Sequence, residues 1–440
     1  MHSKLLNFFS ELRTSYWYIP LLLSIFSLLL SMLTLRLDRL FVWHWLEYMG
    51  WFHASNPEGA RAILSTIANS MISVAGVSFS MTIVAVAFAG SQVGPRLTTN
   101  FMRDRINQIT LGIFIATFLY CLFILLALFN ANKNGIIELN GIFIPQISLL
   151  VAILLSISSI IVLIYFFHHI PESINMSNVI ARVGGELNEQ LECIFPGNLG
   201  IECSNKQCSF NHLYPKITPI LATQQGYIRI IDGKSLLNIA KKEGLIIQLE
   251  VRCGDFITNN THLLTIYSKE LINDAMHKQC LDVFALGTKR NPEQDPLFLV
   301  DELVEIIARA LSPGINDPFT AITCMDWLQS SIQKLSDINL PSAYRYDTEN
   351  QLRVIAQPIA FSEFCELIFS RIQPYVCKDR NASIHMMNML GVLHGISKNQ
   401  EHKNRIASHA NSLKNAAREC LLKDDAEKVM KNYEKHFQPK

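Results

Sequence analysis

The first 172 residues hold four stretches without Asp, Glu, Lys or Arg: residues 14–35, 62–95, 106–132 and 139–171. Crossing about 30 Å of hydrocarbon takes about 20 helical residues, and lipid offers no partner to free backbone N–H and C=O groups. The pattern therefore predicts four transmembrane helices, at about 18–35, 68–90, 108–130 and 147–168. Lys4 and Arg13 precede the first run, as in a signal peptide. The run is long, however, no A-x-A-like site follows it, and Arg36 and Arg39 close it. It reads as a retained signal anchor, with Tyr16, Trp17 and Tyr18 at the membrane interface.

Beyond residue 171 polar positions return. A connecting helix is expected over 172–191, interrupted at Gly184-Gly185, followed by a loop to residue 215. Alternation predicts strands at 226–231, 245–251 and 263–267, with a helix at 235–243 and a turn at Gly254-Asp255. Together they make a small α+β, barrel- or sandwich-like module over 216–295. From residue 296 the period turns helical. Helices are expected at 297–311, 318–335, 362–372 and 383–396. Two amphipathic stretches follow, on Ile406, Leu413, Ala417 and Leu421 and on Val429, Tyr433 and Phe437, with Asp424 as the N-cap between them. The expected fold is an α-helical integral membrane protein (domain 1–171). A linking helix and loop (172–215), the small module (216–295) and a helical domain (296–440) form its cytoplasmic α+β region.

Half of the residues are hydrophobic and 17% are charged, against roughly a quarter charged in soluble proteins. That excludes a disordered chain and argues against an ordinary soluble enzyme. Lys+Arg number 38 and Asp+Glu 37, so no basic excess calls for nucleic acid. An inside N-terminus places Lys4, Arg13, Arg96, Arg103, Arg105 and Arg182 on the inner side, against Arg36, Arg39, Arg61 and Lys133 outside. Of ten cysteines, all but Cys121 follow residue 190 without regular framework spacing. This reads as reduced thiols in cytosol, with both termini cytoplasmic.

The second membrane segment carries Ser65, Asn69, Ser73, Gly76, Ser80, Ala87 and Ser91 at steps of three, four or seven, one stripe interrupted at Val84. Such a stripe serves close helix packing or lines a hydrated path in a homo-oligomer; the two are compatible. No acid or base lies at mid-membrane depth, which argues against a carboxylate proton relay. His168-His169 at the inner end of the fourth segment reads as interface snorkelling or a pH-sensitive gate. Gln92, Arg96, Arg103 and Arg105 in the short second loop suit a tight inner hairpin, or contact with an anionic lipid or the cytoplasmic region. The aromatic-rich outer segment 36–61 reads as lying on the membrane.

In the cytoplasmic region, residues 310–318 read as a helix–turn–helix corner, with Asp317 as N-cap and Pro318 at the first helical position. Ser312, Asn316, Asp317 and Thr320 could alternatively converge as a ligand or interface site. Cys193, Cys203, Cys208 and His212 are spaced C-x9-C-x4-C-x3-H, without the paired C-x2-C of structural zinc sites, so no metal or other cofactor is expected. No phosphate-loop, dinucleotide, zinc-protease or nucleophile-elbow motif is present.

The segments at 60–64, Phe79-Ser80, 91–96, Leu111-Gly112 and 311–321 together resemble the bacterial predicted membrane proteins of domain of unknown function 2254, over nearly the whole chain. The resemblance implies a four-helix protein of the bacterial inner membrane with a cytoplasmic region, and it transfers no catalytic residues. Two functions are expected. One is an oligomeric channel-like or transport-like protein gated by its cytoplasmic domain. The other is a membrane-anchored sensor or scaffold whose cytoplasmic domain binds a ligand or partner. No constellation of residues supports an enzyme.

Overall fold

A computed structural model describes residues 15–40, 57–94, 104–133, 144–192, 194–197, 199–202 and 214–437. The described residues divide into two compact units, one up to Asn175 and one from Met176.

Among its described residues the first unit contains four helices long and apolar enough to cross a membrane: α1 (Tyr18–Leu40), α2 (Pro57–Val93), α3 (Arg105–Lys133) and α4 (Gln146–Ile174). All four overrun their expected bounds. Helix α2 has 37 residues and is thus about 55 Å long, nearly twice the hydrocarbon thickness. It takes in residues 57–61, expected in the outer segment; residues 41–56 lie outside the described residues. Helix α3 is central and packs on the other three. Ala60, Leu64 and Ala68 of α2 meet Tyr120, Cys121, Ile124 and Leu128 of α3, and Leu149 and Ala152 of α4. At Gly112 a side chain would collide with Leu23 and Pro20, so the missing Cβ lets α1 and α3 approach.

Hydroxyls supplement this packing, since apolar surface alone drives no association in lipid. Ser27 donates to the Ala116 carbonyl at 2.6 Å. Thr117 and Ser159 lie 3.1 Å apart, and Thr34 and Tyr120 2.9 Å apart. Pro145 cannot cap α4, so Asp38 of α1 takes its free amides, accepting from Ile147 N at 2.8 Å and Ser148 N at 3.0 Å.

The second unit begins with α5 (Met176–Glu192). The expected break at Gly184-Gly185 does not occur: the helix runs through both, and the interruption falls at Asn175 instead. The reason is tertiary. A Cβ on Gly184 would lie 2.6 Å from the Trp327 ring, so the glycine admits a partner helix.

The strands among the described residues are β1 (Ile201–Glu202), β2 (Lys216–Leu221), β3 (Gly226–Ile231), β4 (Ile246–Leu249), β5 (Phe256–Ile257), β6 (His262–Ser268), β7 (Phe284–Gly287), β8 (Tyr344–Tyr346) and β9 (Leu352–Ile355). They form a six-stranded sheet, β1-β8-β9-β4-β6-β2, and a three-stranded sheet, β5-β3-β7. The β4–β9 pair is parallel, and the other pairs among these strands are antiparallel. Ile220, Ile247, Leu264 and Val354 of one sheet share a core with Ile228, Ile231, Ile257 and Phe284 of the other. Helices α6 (Gly233–Lys242) and α7 (Asp274–Leu281) complete this layer. Because β8 and β9 pair into it, the segments expected at 216–295 and 296–440 share one sheet.

The rest of the described second unit is helical: α8 (Pro296–Ala310), α9 (Pro318–Asp337), α10 (Phe361–Val376), α11 (Arg380–Ile396), α12 (Gln400–Cys420) and α13 (Lys423–Phe437). Asp295, Asp317 and Asp379 each cap the following helix through the amide three residues on. Asp424 is not a cap. It lies inside the first turn of α13, where the Leu422 carbonyl accepts from Asp425 N and Ala426 N.

Several histidines serve here as packing rings. His402 stacks on Phe361 at 3.8 Å, His409 lies 5.1 Å from Phe369, and His394 5.1 Å from Phe437. Burial holds the pKa of His394, His402, His409 and His436 below the ordinary value; at His409 burial outweighs Glu366. Below the unfolded value near 6.5, the unfolded chain therefore binds more protons than the folded one. Stability is full above that value and declines as pH falls below it. Tm of the detergent-solubilised chain should be lower at pH 5.5 than at pH 7.5, with part of the loss removed by His409→Gln. An unchanged or higher Tm at the acid pH would refute this.

Candidate functional site

The two α2 faces have different neighbours. Ala60, Leu64, Ala68, Met71, Ala75, Ser78 and Thr82 are buried within the bundle. Asn69, Ser73, Gly76, Ser80 and Ala87 are exposed, and Ser65 is half-buried. Ser91 is in the helix, but its side chain lies outside the described residues. The small-polar stripe thus faces away from α3 and α4, and a Cβ on Gly76 would meet nothing within 4 Å. Among the described residues, and apart from half-buried Ser65, the stripe is not part of the buried packing of the bundle. Bulky Ile72, Val77, Phe79, Ile83 and Val84 flank the stripe, equally exposed. Ser73 returns its hydroxyl to the Asn69 carbonyl at 2.8 Å, a bond that leaves the outer surface free for a partner.

At the opposite end of the helix pair, Arg96 and Arg103 lie outside the described residues, as does the side chain of Gln92. Arg105 begins α3 and is exposed. Its neighbour Asp104 caps α3, accepting from Ile106 N at 2.9 Å, and meets His169 Nε2 of α4 at 2.5 Å. His168 instead reaches Glu172 at 3.3 Å, both largely exposed. The adjacent histidines therefore divide: one ties two helices together, the other faces outward. The Asp104 partner was missed in the sequence because the residues are 65 apart.

The corner between α8 and α9 uses its own polar groups. Asp317 accepts from Thr320 N at 3.1 Å and from the Thr320 hydroxyl at 2.6 Å. Ser312 donates to the Arg309 carbonyl at 2.6 Å. Asn316 takes the left-handed conformation, φ 53°, and its amide bonds the Ser312 carbonyl. Local bonds occupy the side chains of Ser312, Asp317 and Thr320 and the backbone amide of Asn316, while Ile315 and Phe319 stand exposed at the tip. Cys193, Cys203, Cys208 and His212 all lie outside the described residues.

A cluster of charges in the second unit is one that the sequence did not single out. Residues 252–255, the loop before α8, and faces of α8 and α10 line a partly open cavity of about 330 Å³. Arg290 bonds Asp295 at 2.7 and 3.0 Å and Asp301 at 2.5 Å. Asp301 also pairs with Arg371, and Arg252 grips both oxygens of Glu363 at 2.9 Å. Burial pushes the Asp295 carboxyl up, partly offset by Arg290. Burial lowers the Arg290 pKa too, but Asp295 and Asp301 more than compensate and raise it. A side chain on Gly254, at φ 95°, would collide with the Asp295 carboxylate. Glycine is therefore needed at the turn both for conformation and for space.

Five carboxylates and three guanidinium groups line the cavity, a formal excess of two negative charges. Its one thiol, Cys253, is pushed up to about 12 by burial and donates to Gln294 at 3.1 Å, so it is a poor nucleophile. The arrangement suits binding; nothing in it pairs a nucleophile with a base. Among the described residues no group of three or more His, Cys, Asp or Glu is placed to hold a metal ion. The signal in the sequence was Asp301-Glu302 within the otherwise apolar first part of α8. Both acids prove buried.

Comparison with known proteins agrees with a membrane protein. The family described as Predicted membrane protein (DUF2254) matches residues 13–391. Uncharacterized proteins of Mycobacterium bovis and Mycobacterium tuberculosis are 27% identical to the chain over 342 residues. The alignment covers 77% of the chain and 64% of those relatives, so the chain spans under two thirds of their length. No solved structure matches it.

Proposed function

The chain belongs to the DUF2254 family of predicted membrane proteins, and from that premise we propose that it is an oligomeric channel-like or transport-like protein. Copies meet through the outward face of α2, and the second unit controls the path. One observation carries the reading: Asn69, Ser73, Gly76 and Ser80 are exposed on a helix of membrane-spanning length. Polar groups facing hydrocarbon are unfavourable, whereas a shared axis would hydrate them. The membrane is the bacterial plasma membrane, with both termini cytoplasmic, in keeping with the Lys and Arg distribution. Arginines of the inner loop then lie beside anionic headgroups.

The test is flux through liposomes containing the purified chain. We expect flux above empty controls, returned to the control level by Ser73→Leu and Ser80→Leu. Both positions are exposed, so leucine there leaves the bundle's own packing intact. Absence of flux with the unaltered chain, across pH and voltage, removes the basis for this function. A membrane-anchored ligand sensor is the second reading, favoured by the cavity around Arg290. In that case the two leucine variants leave ligand capture unchanged and no flux exists to block.

A further inference from the structure

We infer that Cys377 and Cys420 form a modification site, a dithiol that a low-molecular-weight disulfide converts into an intramolecular disulfide joining the ends of α10 and α12. The residues are 43 positions apart, yet their Sγ atoms lie 3.3 Å from each other. A disulfide bond is about 2.05 Å long, so closure requires a shift of about 1.3 Å in sulfur position, within reach of side-chain torsion. Both are free cysteines. Cys280, Cys324 and Cys365 are fully buried, whereas this pair has one exposed member, Cys420.

The pair is asymmetric in the way that exchange chemistry requires. Cys420 is exposed and Cys377 is 4% exposed. A small disulfide, RSSR, therefore meets Cys420 first. The Cys420 thiolate attacks one sulfur, a mixed disulfide forms, and RS⁻ leaves. Cys377 then loses its proton to solvent and attacks the Cys420 sulfur; the Sγ–Sγ bond forms and the second RS⁻ leaves. Two protein thiols and RSSR thus yield one protein disulfide and two RSH, with the oxidant reduced by two electrons. Burial and the neighbouring Cys420 push the Cys377 thiol up to about 11. Burial still holds that thiol up once Cys420 is a mixed disulfide, so the second step is accelerated as pH rises.

The location gives the bond a mechanical consequence. Residues 377–379 link α10 to α11, and residues 421–422 link α12 to α13. Arg380 and Asp425 already pair across the same two corners at 3.3 Å. A covalent bond there fastens one helical hairpin to the next and restricts their separation in the unfolded chain. In a reducing compartment the site stays a dithiol, and its oxidation registers a change in thiol redox state.

The test uses the full chain in detergent, incubated with oxidised glutathione at pH 8 under native conditions, then acid-quenched, alkylated and mapped by mass spectrometry. We expect a Cys377–Cys420 linked peptide, a rise in Tm of roughly 5 °C, and reversal of both by dithiothreitol. Cys420→Ser should abolish the linked peptide and leave Cys377 unmodified. Cys377→Ser should trap Cys420 as its glutathione adduct. The proposal is overturned if the native unaltered chain yields Cys420 only as thiol or glutathione adduct, with Cys377 free. That mapping decides the matter even where the Cys377→Ser variant fails to fold.

Discussion

Asp301→Ala should destabilise the second unit by about 3 kcal/mol, the lower end of the cost of removing one partner from a buried ionic group. The Asp301 carboxylate is 6% exposed and holds both Arg290 and Arg371. Without it Arg371, half-exposed, turns to water. Arg290 retains Asp295 but loses its second anion in a buried place. Asp301→Asn should cost less, because the amide oxygen still accepts one bond. Arg371→Ala should cost less than about 1 kcal/mol, since its own side chain is half in solvent. Chemical denaturation of the full chain, followed by tryptophan fluorescence, ranks the three variants. If Asp301→Ala and Arg371→Ala came out equal, the lattice around Arg290 would not hold these elements together as described.

The second large effect concerns two adjacent glycines with opposite expectations. Gly184→Leu should destabilise by about 3 kcal/mol, the upper range of overpacking, because any side chain there enters the Trp327 ring. That contact joins α5 to α9, which are also tied by Ser331 Oγ to Asn188 Oδ1 at 2.7 Å and Lys334 to Glu192 at 2.6 Å. Gly185 has nothing within 4 Å of a Cβ. Gly185→Ala should therefore stabilise by about 0.5–1 kcal/mol through helix propensity. Thermal melts of Gly184→Leu and Gly185→Ala, and of Gly184→Ala and Trp327→Ala singly and combined, separate the causes. In that pair the losses should be less than additive. Similar effects at both glycines would mean that the α5–α9 approach is not what position 184 serves.

Those glycines also mark where reading the sequence stopped short. Gly-Gly in a polar helical stretch looks like a break, because glycine lowers helix propensity. Its actual use depends on Trp327, far along the chain, which no local pattern reveals. The stripe on α2 was legible as a periodic pattern, since 3.6-residue spacing is a property of the helix itself. Its direction was not legible, because the angle between Asn69–Ser73–Ser80 and the bundle depends on which residues α3 and α4 cover. The charged cavity remained hidden for the same reason. Arg252, Arg290, Asp301 and Arg371 come from four separated segments and meet only when the β4–β5 turn, α8 and α10 pack.

The chain's own order of residues determined its four apolar helices and the starts of α8 and α9. Charge-free length is a local property, and the bonds from Asp295 to Phe298 N and from Asp317 to Thr320 N span three residues. Tertiary structure alone decided that β8 and β9 extend the sheet of β4, that His169 meets Asp104, and that two distant thiols stand side by side. Each of these joins groups far apart along the chain, so it exists only once burial has overcome the entropy of closing the intervening loop.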